Sequence, residues 1–274
     1  MPPTLSSLHL TVDGAVARLE LNHGKANEMG SAQLADFAAL TAWLATGEVR
    51  ALITWSRRTS AKGTGIFIAG ANVTERADWP EAQIKTHVRF QRHTLGCLRQ
   101  APVFHVAVVD GVALGWGTEF LLCCDYRIAG PNARFGLPET GLGILPGAGG
   151  SSELPGRIGL NQALRLGMTG EQIDTREAVR IGLVDESADS LDAALTRADA
   201  LARKAATRSP TAMAAYKAAA LAAEGLIREH RVAVEAAAYE HCVDSGDAAV
   251  GRANFAAITE GRAPPWGPFR RWSP

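Results

Sequence analysis

The chain has 274 residues, and its 47% apolar content is enough to form one sizeable core. Its 28 basic and 28 acidic residues balance, which argues against a nucleic-acid partner and against binding to an anionic membrane. No apolar run reaches the roughly 18 residues of a membrane span and no export signal opens the chain, so we expect a cytoplasmic protein.

The first part of the chain alternates between strand and helix patterns. Apolar segments at 8–12 and 15–21 flank Asp13-Gly14, which predicts a β-hairpin. The further predicted elements are a helix over 33–45, a strand over 50–54, a helix over 81–100, a strand over 103–109 and a strand over 126–129. The unbroken apolar run 103–109 is typical of a strand covered on both faces, so the pattern predicts a largely parallel α/β core.

From Ser190 onward the composition changes, because alanine-rich amphipathic stretches follow one another without a strand pattern. Helices are predicted over 192–206, 211–223, 227–243 and 247–259. We therefore divide the chain into an α/β core, residues 1–189, and a helical region, residues 190–274. Such a region can cap its own core or contact a neighbouring subunit.

Two glutamates lie in glycine-rich surroundings. Glu119 ends the segment Gly115-Trp116-Gly117-Thr118-Glu119, and Glu139 follows Gly136-Leu137-Pro138. Paired carboxylates can take a proton from water and deliver one to a neighbouring carbon. Glycines let the backbone approach a ligand closely and direct N–H groups at a developing negative charge. Together they indicate addition or elimination beside a polarised carbonyl. The structural alternative is that Glu119 caps or salt-bridges a buried helix and that Glu139 is a first-turn helix residue stabilised by the dipole.

Other site types are not supported. The glycine motifs match neither a dinucleotide fingerprint nor a phosphate-binding loop, and no serine-hydrolase elbow occurs. The seven histidines show no metal-ligand spacing, so we expect no metal. The four cysteines, at 97, 123, 124 and 242, lack C-x-x-C spacing and are predicted to be buried, reduced thiols.

Four sequence blocks occur in the order found in one known family. They are L-N-H-G-K-A-N-E-M at 21–29, F-I-A-G-A-N-V at 67–73, D-G through G-T-E to C-D at 110–125, and A-R-F-G-L-P-E through G-A-G-G at 133–150. A weaker fifth match covers 163–185. On these blocks the chain resembles the crotonase, or enoyl-CoA hydratase/isomerase, superfamily over about residues 8–262. The resemblance implies a crotonase-like spiral of ββα units with a helical C-terminal region, assembled as a homotrimer or a dimer of trimers.

The resemblance also implies a site. The backbone N–H groups of Ala71 and Trp116 would form an oxyanion hole for the thioester carbonyl of an acyl-CoA substrate. Glu119 and Glu139 would bind and activate water, with Glu139 passing a proton to C2. Segments around Lys25-Ala26, Ala69-Gly70-Ala71 and Gly115 would bind CoA, which belongs to the substrate, so no separate cofactor is expected.

Two residues depart from the family pattern. Trp116 stands where the family usually has glycine; its amide still has an N–H, and its ring would either roof the acyl pocket or pack inside the protein. Asn72 stands where aspartate is common, which affects the shape of the CoA loop.

The resulting hypothesis is an enoyl-CoA hydratase that adds water across the 2,3-double bond. The alternatives are another reaction of the same family (isomerisation, thioester hydrolysis or decarboxylation) or a CoA-binding protein without catalysis.

Overall fold

The N-terminal hairpin has the geometry that its sequence predicts. In the computed structural model, which describes residues 1–274, strand β1 covers Leu8–Asp13 and β2 covers Val16–Leu21. They pair antiparallel with Asp13 opposite Val16. Gly14 in the turn has φ +58°, a conformation that glycine adopts without steric cost.

The hairpin forms one edge of a six-stranded sheet, whose strand order is β1-β2-β3-β5-β7-β10. Its other strands are β3 Ala51–Trp55, β5 Phe104–Val109, β7 Tyr126–Ala129 and β10 Glu186–Ser187. All pairs after the hairpin are parallel. In β5, Val106 and Val108 face one apolar cluster and Ala107 and Val109 face another. The prediction of a strand covered on both faces is therefore confirmed.

A second sheet of four short strands has the order β4-β6-β8-β9. The strands are β4 Ile66–Ile68, β6 Val112–Leu114, β8 Arg134–Gly136 and β9 Ile173–Asp174. Along the chain, each of β3, β5 and β7 is followed by one strand of this sheet and then by a helical segment. This repeated ββα arrangement is the fold class expected from the resemblance.

The core contains six α-helices, of which the first two lie within two residues of the helices predicted over 33–45 and 81–100. They are α1 Ser31–Leu44, α2 Glu81–Arg99, α3 Trp116–Leu122, α4 Leu154–Ile158, α5 Leu160–Thr169 and α6 Thr175–Ile181, with a 3₁₀ helix at Pro138–Leu142. The buried faces of α1 and α3 meet in the main apolar cluster, where Phe37 packs against Phe120 with ring centroids 5.4 Å apart.

The C-terminal region contains α7 Leu191–Ala206, α8 Pro210–Ala223 and α9 Arg228–Asp244, each within one residue of its predicted bounds. The helix predicted over 247–259 is wrong as a single element. It divides into α10 Asp247–Ala253 and α11 Phe255–Thr259, because Asn254 leaves helical geometry and its side chain donates to the Val250 carbonyl at 2.8 Å.

Helix α7 packs on the six-stranded sheet through its small buried face, formed by Ala194, Ala198 and Ala202. This first helix of the C-terminal region therefore shares an apolar cluster with β3 and β5 of the core. The division of the chain into two parts at residue 190 stays a prediction.

Two further observations concern the class of protein. None of the helices is both long and apolar enough to cross a lipid bilayer. Cys123 and Cys124 are buried, whereas Cys97 and Cys242 are half-buried on α2 and α9. The prediction of buried thiols is therefore wrong for these two, because both helices keep one face towards solvent.

Candidate active site

The small sheet brings the predicted site residues to one edge. Strands β4, β6 and β8 are adjacent and parallel. Segment 69–72 follows β4, segment 115–119 follows β6 and segment 137–139 follows β8. Because parallel strands end at the same edge of a sheet, three motifs that are distant in sequence meet there, as ligand sites of α/β sheets commonly do.

Ala71 and Trp116 present backbone N–H groups at this edge. Met29 holds the chain on both sides of Ala71, since its N–H donates to the Gly70 carbonyl and its carbonyl accepts the Asn72 N–H, both at 2.8 Å. The Ala71 N–H itself has no protein acceptor. Trp116 is the first residue of α3, so its N–H has no acceptor within the helix. Both groups can donate to a bound oxygen.

The Trp116 side chain packs inside the protein. It is 2% exposed, and its ring centroid lies 5.8 Å from that of Phe37 and 5.6 Å from that of Phe120. Of the two alternatives for this ring, packing within the protein is the one observed. The backbone N–H and the side chain of Trp116 therefore have separate environments.

Glu119 is held in one orientation by the loop after β8. The residue lies in the first turn of α3 and is 4% exposed. Its Oε1 accepts the N–H groups of Ala148 at 2.7 Å and Gly150 at 2.9 Å. Burial raises the pKa of the Glu119 carboxyl, and the two N–H donors oppose that rise. Because both bonds go to Oε1, Oε2 is free to bind another group.

Glu139 lies in the first turn of the 3₁₀ helix, where its Oε2 is buried without a hydrogen-bond partner. Burial raises the pKa of the Glu139 carboxyl to about 7, with its own backbone N–H opposing and the charge of Glu119 adding to the rise. A carboxyl with such a pKa exists in both protonation states near neutral pH and suits proton transfer. The two glutamates thus differ in their surroundings: Glu119 is fixed by two N–H donors, whereas Oε2 of Glu139 has no hydrogen-bond partner.

The predicted CoA segments lie side by side. The Ala69 N–H donates to the Ala26 carbonyl at 3.1 Å, which joins the segment after β2 to the segment before Ala71. Lys25 is exposed, and its carbonyl accepts Nε of Arg58 at 3.2 Å. Gly115 precedes α3 with φ +52°, and its N–H donates to the Gly136 carbonyl at 2.8 Å.

Asn27 is a residue whose role the sequence analysis did not assign. Its Oδ1 accepts the His23 N–H at 2.8 Å, and its Nδ2 donates to the Phe67 carbonyl at 2.9 Å and to Ser56 Oγ at 3.0 Å. It therefore ties the loop around Lys25 to β4. Its φ of +52° is the only positive value outside glycine, and asparagine tolerates that conformation. The sequence signal that could have identified Asn27 is its place in the 21–29 block, which resembles a segment of the family.

Asn72 closes the turn that follows Ala71. Its Oδ1 accepts the Glu75 N–H at 3.0 Å, and the Glu75 carboxylate in turn accepts the Ser31 N–H at the start of α1. Asparagine provides the acceptor oxygen that this turn needs, so the departure from aspartate leaves a well-formed turn.

Comparison with known proteins shows the family and the fold of the chain. The sequence profile of the enoyl-CoA hydratase/isomerase family matches residues 13–268. A solved enoyl-CoA hydratase from Bacillus anthracis superimposes with a TM-score of 0.86 at 31% identity, over 95% of this chain and 99% of that one.

Among curated proteins, human mitochondrial methylglutaconyl-CoA hydratase is 35% identical over 186 residues, which is 67% of this chain and 55% of that protein. A probable mitochondrial enoyl-CoA hydratase 2 from Arabidopsis thaliana is 42% identical over 114 residues, 42% of this chain and 38% of that protein. The matched part thus spans well under two thirds of these relatives.

Proposed function

The chain belongs to the enoyl-CoA hydratase/isomerase family, and on that premise we propose that it hydrates the 2,3-double bond of an enoyl-CoA thioester. The observation that carries the proposal is the pair of buried carboxyls in different surroundings: Glu119 is fixed by two N–H donors, and Glu139 has a pKa raised to about 7 and an unpartnered Oε2. Hydration needs a base for water and an acid for carbon, and these two groups supply both.

The proposed reaction proceeds at the edge of the small sheet. The thioester oxygen accepts the N–H groups of Ala71 and Trp116, which makes C3 electrophilic. Glu119 takes a proton from water as the water oxygen bonds to C3 and the double-bond electrons move into the enolate. Glu139 then gives its proton to C2, and transfer of the proton from Glu119 restores the starting state. Each oxyanion donor contributes roughly 3–4 kcal/mol of transition-state stabilisation.

The test is hydration of crotonyl-CoA by the parent protein and by Glu119→Gln and Glu139→Gln, followed as loss of enoyl absorbance. Glutamine keeps the size and an acceptor oxygen but neither accepts nor releases a proton near neutral pH. We expect each variant to lose at least about 100-fold in kcat. Glu229→Gln, on the exposed side of α9, is the matched control and should retain parental activity. Hydration that survives both active-site changes would overturn the two-carboxylate reaction.

Double-bond isomerisation is the second candidate, and the unpartnered Oε2 of Glu139 supports it. One carboxyl can move a proton between C4 and C2 without water. With a 3-enoyl-CoA substrate, conversion to the 2-enoyl product that survives Glu119→Gln would favour isomerisation. Release of free thiol would indicate thioester hydrolysis, and release of carbon dioxide from a carboxylated thioester would indicate decarboxylation. CoA binding without turnover would mark a non-catalytic homologue.

Assembly, location and cofactor use remain parts of the proposal. Tyr216 on α8 and Tyr239 on α9 are 79% and 71% exposed, and large exposed apolar surface supports association of copies. We propose a homotrimer or a dimer of trimers, which light scattering would test. A cytoplasmic location and a reaction without a cofactor beyond the CoA of the substrate complete the proposal.

A further inference from the structure

The loop that orients Glu119 consists mainly of glycine. It covers residues 147–150 and has turn geometry throughout. Gly149 has φ +133°, and a Cβ built on Gly150 would collide with the Pro146 side chain, so this tight path requires glycine. Glycine also gives a backbone its largest conformational freedom. A loop of this composition therefore needs contacts from outside itself to hold a carboxylate in one orientation.

Local hydrogen bonds close the loop only on its C-terminal side. The Glu153 N–H donates to the Gly149 carbonyl at 2.7 Å, and Ser151 Oγ donates to the Pro146 carbonyl at 3.2 Å. Neither bond reaches the carbonyl of Gly147, where the loop begins. The start of the loop is held by a different element.

Helix α2 holds the start of the loop. Arg92 donates from Nε to the Gly147 carbonyl at 2.9 Å. Val88 lies on the same side of the helix, four residues earlier, and a Cβ built on Gly147 would be 3.1 Å from its Cγ1. The absence of a side chain at Gly147 therefore lets the backbone come close enough to α2 for the bond to Arg92.

The peptide unit between Gly147 and Ala148 joins Arg92 to Glu119. Its carbonyl accepts the Arg92 Nε–H, and its N–H donates to Glu119 Oε1 at 2.7 Å. A trans peptide is planar, with the C=O and the N–H pointing in opposite directions, so fixing the carbonyl fixes the direction of the N–H. A cation at the carbonyl also polarises the peptide and strengthens the bond that its N–H donates.

The charge of Arg92 acts on Glu119 as well. Burial raises the pKa of the Glu119 carboxyl, and the Arg92 charge opposes that rise together with the two N–H donors. Glu139 is the acidic group that faces Glu119. The ion pairs of α2 involve Lys85 and Arg99, so no carboxylate neutralises Arg92. Its full charge is available to stabilise the carboxylate form of Glu119.

Arg99 contacts the far end of the same segment in a different way. It donates to the carboxylate of Glu153 and, at 2.9 Å, to that of Glu224 at the end of α8. Two carboxylates share its charge, and Glu153 lies beyond the N–H groups that Glu119 accepts. Of the two arginines, only Arg92 bonds to the peptide unit that bonds to Glu119.

We propose that Arg92 is a positioning residue that acts through the Gly147–Ala148 peptide to hold Glu119 as an oriented carboxylate, ready to take a proton from water. This inference rests on the proposed function and names the group that prepares its base. Arg92 is exposed on α2 and acts without contact to the substrate. When its bond to Gly147 is lost, the glycine loop samples other peptide orientations, and Glu119 loses its fixed direction.

Three substitutions separate the hydrogen bond of Arg92 from its charge. Arg92→Met removes both, Arg92→Gln keeps an N–H donor at the position of Nε without the charge, and Arg92→Lys keeps a charge and a donor. In crotonyl-CoA hydration, we expect Arg92→Met to lose on the order of tenfold in kcat, with a KM within about threefold of the parent. Arg92→Gln should lose less, and Arg92→Lys should recover most of the activity. Arg89→Met, at an exposed position of α2, is the matched control and should behave as the parent.

The pH profile of kcat is a readout that a merely structural role would not move. Loss of the Arg92 charge raises the pKa of Glu119, so the acidic limb should shift to higher pH in Arg92→Met and Arg92→Gln and stay in place in Arg92→Lys and Arg89→Met. In a Glu119→Gln background, Arg92→Met should cause less than about threefold further loss. An undiminished loss in that background, or an acidic limb that stays in place in Arg92→Met, would overturn the inference.

Hydrogen exchange without substrate separates this inference from the proposed reaction. If the parent does not hydrate crotonyl-CoA, the hydratase proposal fails, and the role of Arg92 is decided by amide exchange in a peptide that covers residues 146–153. Exchange at least about tenfold faster in Arg92→Met than in the parent and in Arg89→Met supports the positioning of Glu119. Equal exchange in the three proteins overturns it.

Discussion

The Glu139 carboxylate lies directly over the backbone of Gly115. A Cβ built on Gly115 would collide with Oε1 of Glu139, so the glycine leaves the space that this carboxyl occupies. Gly115 also precedes Trp116, whose N–H is one of the two proposed oxyanion donors. Gly115 therefore affects both the position of the proposed proton carrier, Glu139, and the backbone geometry of one proposed donor, Trp116.

Gly115→Ala should therefore reduce activity more than it reduces stability. The added methyl displaces Glu139, and a side chain at φ +52° and ψ −118° adds strain of about 1–3 kcal/mol. We expect kcat on the best enoyl-CoA substrate to fall on the order of 100-fold, since a displacement of about 1 Å has this effect. Gly14→Ala is the matched control, because Gly14 has φ +58° and no atom within 4 Å of its built Cβ. Equal activity losses in the two variants would contradict the role of the contact.

The raised pKa of Glu139 makes stability depend on pH. The folded protein holds this proton to about pH 7, whereas an ordinary glutamate releases it near pH 4.5. Between these values the folded state binds more protons than the unfolded chain, so this group's contribution to stability is lost as pH rises through that window. Glu139→Gln should remove the effect. Its free energy of unfolding in urea, relative to the parent, should increase from about pH 5 to about pH 7 and then level off. A difference that does not change with pH would show that Glu139 titrates normally.

Trp116 packs in the core, so we expect its ring to have no effect on the choice of acyl chain. Trp116→Phe keeps an aromatic ring against Phe37 and Phe120 and removes an indole N–H that has no partner. We expect a loss of about 1–2 kcal/mol in unfolding free energy, below the roughly 3–5 kcal/mol of a truncation to alanine. The ranking of enoyl-CoA chain lengths by kcat/KM should not change. A reordered ranking would mean that the ring contacts the acyl group.

Asn27 should support CoA binding indirectly by holding the loop around Lys25. Asn27→Ala removes the acceptor for His23 and the donor to Phe67 and Ser56. We expect a loss of about 2–3 kcal/mol in stability and a weaker affinity for free CoA. Asn22→Ala, in the same loop, loses only the bond from Arg58 and should bind CoA as the parent does. Unchanged CoA affinity in Asn27→Ala would show that the loop around Lys25 does not take part in CoA binding.

Local patterns were sufficient for much of the fold. The Asp13-Gly14 hairpin, α2 and the helices α7 to α9 were predictable because each has a long periodic pattern or a clear turn signal. The two-residue and three-residue strands of the small sheet were harder to predict, because a segment of so few residues shows no measurable period of apolar positions. Asn254 divided a predicted helix for a local reason that composition does not reveal.

The sequence by itself was enough to identify the family and to single out the two glutamates and the glycine-rich segments beside them. These features depend only on residue type and on spacing along the chain. Only the tertiary structure decided that the Trp116 ring packs against Phe37 and that burial raises the pKa of Glu139 to about 7. Each of these depends on burial and on neighbours from other elements. Such neighbours meet only when β4, β6 and β8 pair, and no local pattern contains that pairing.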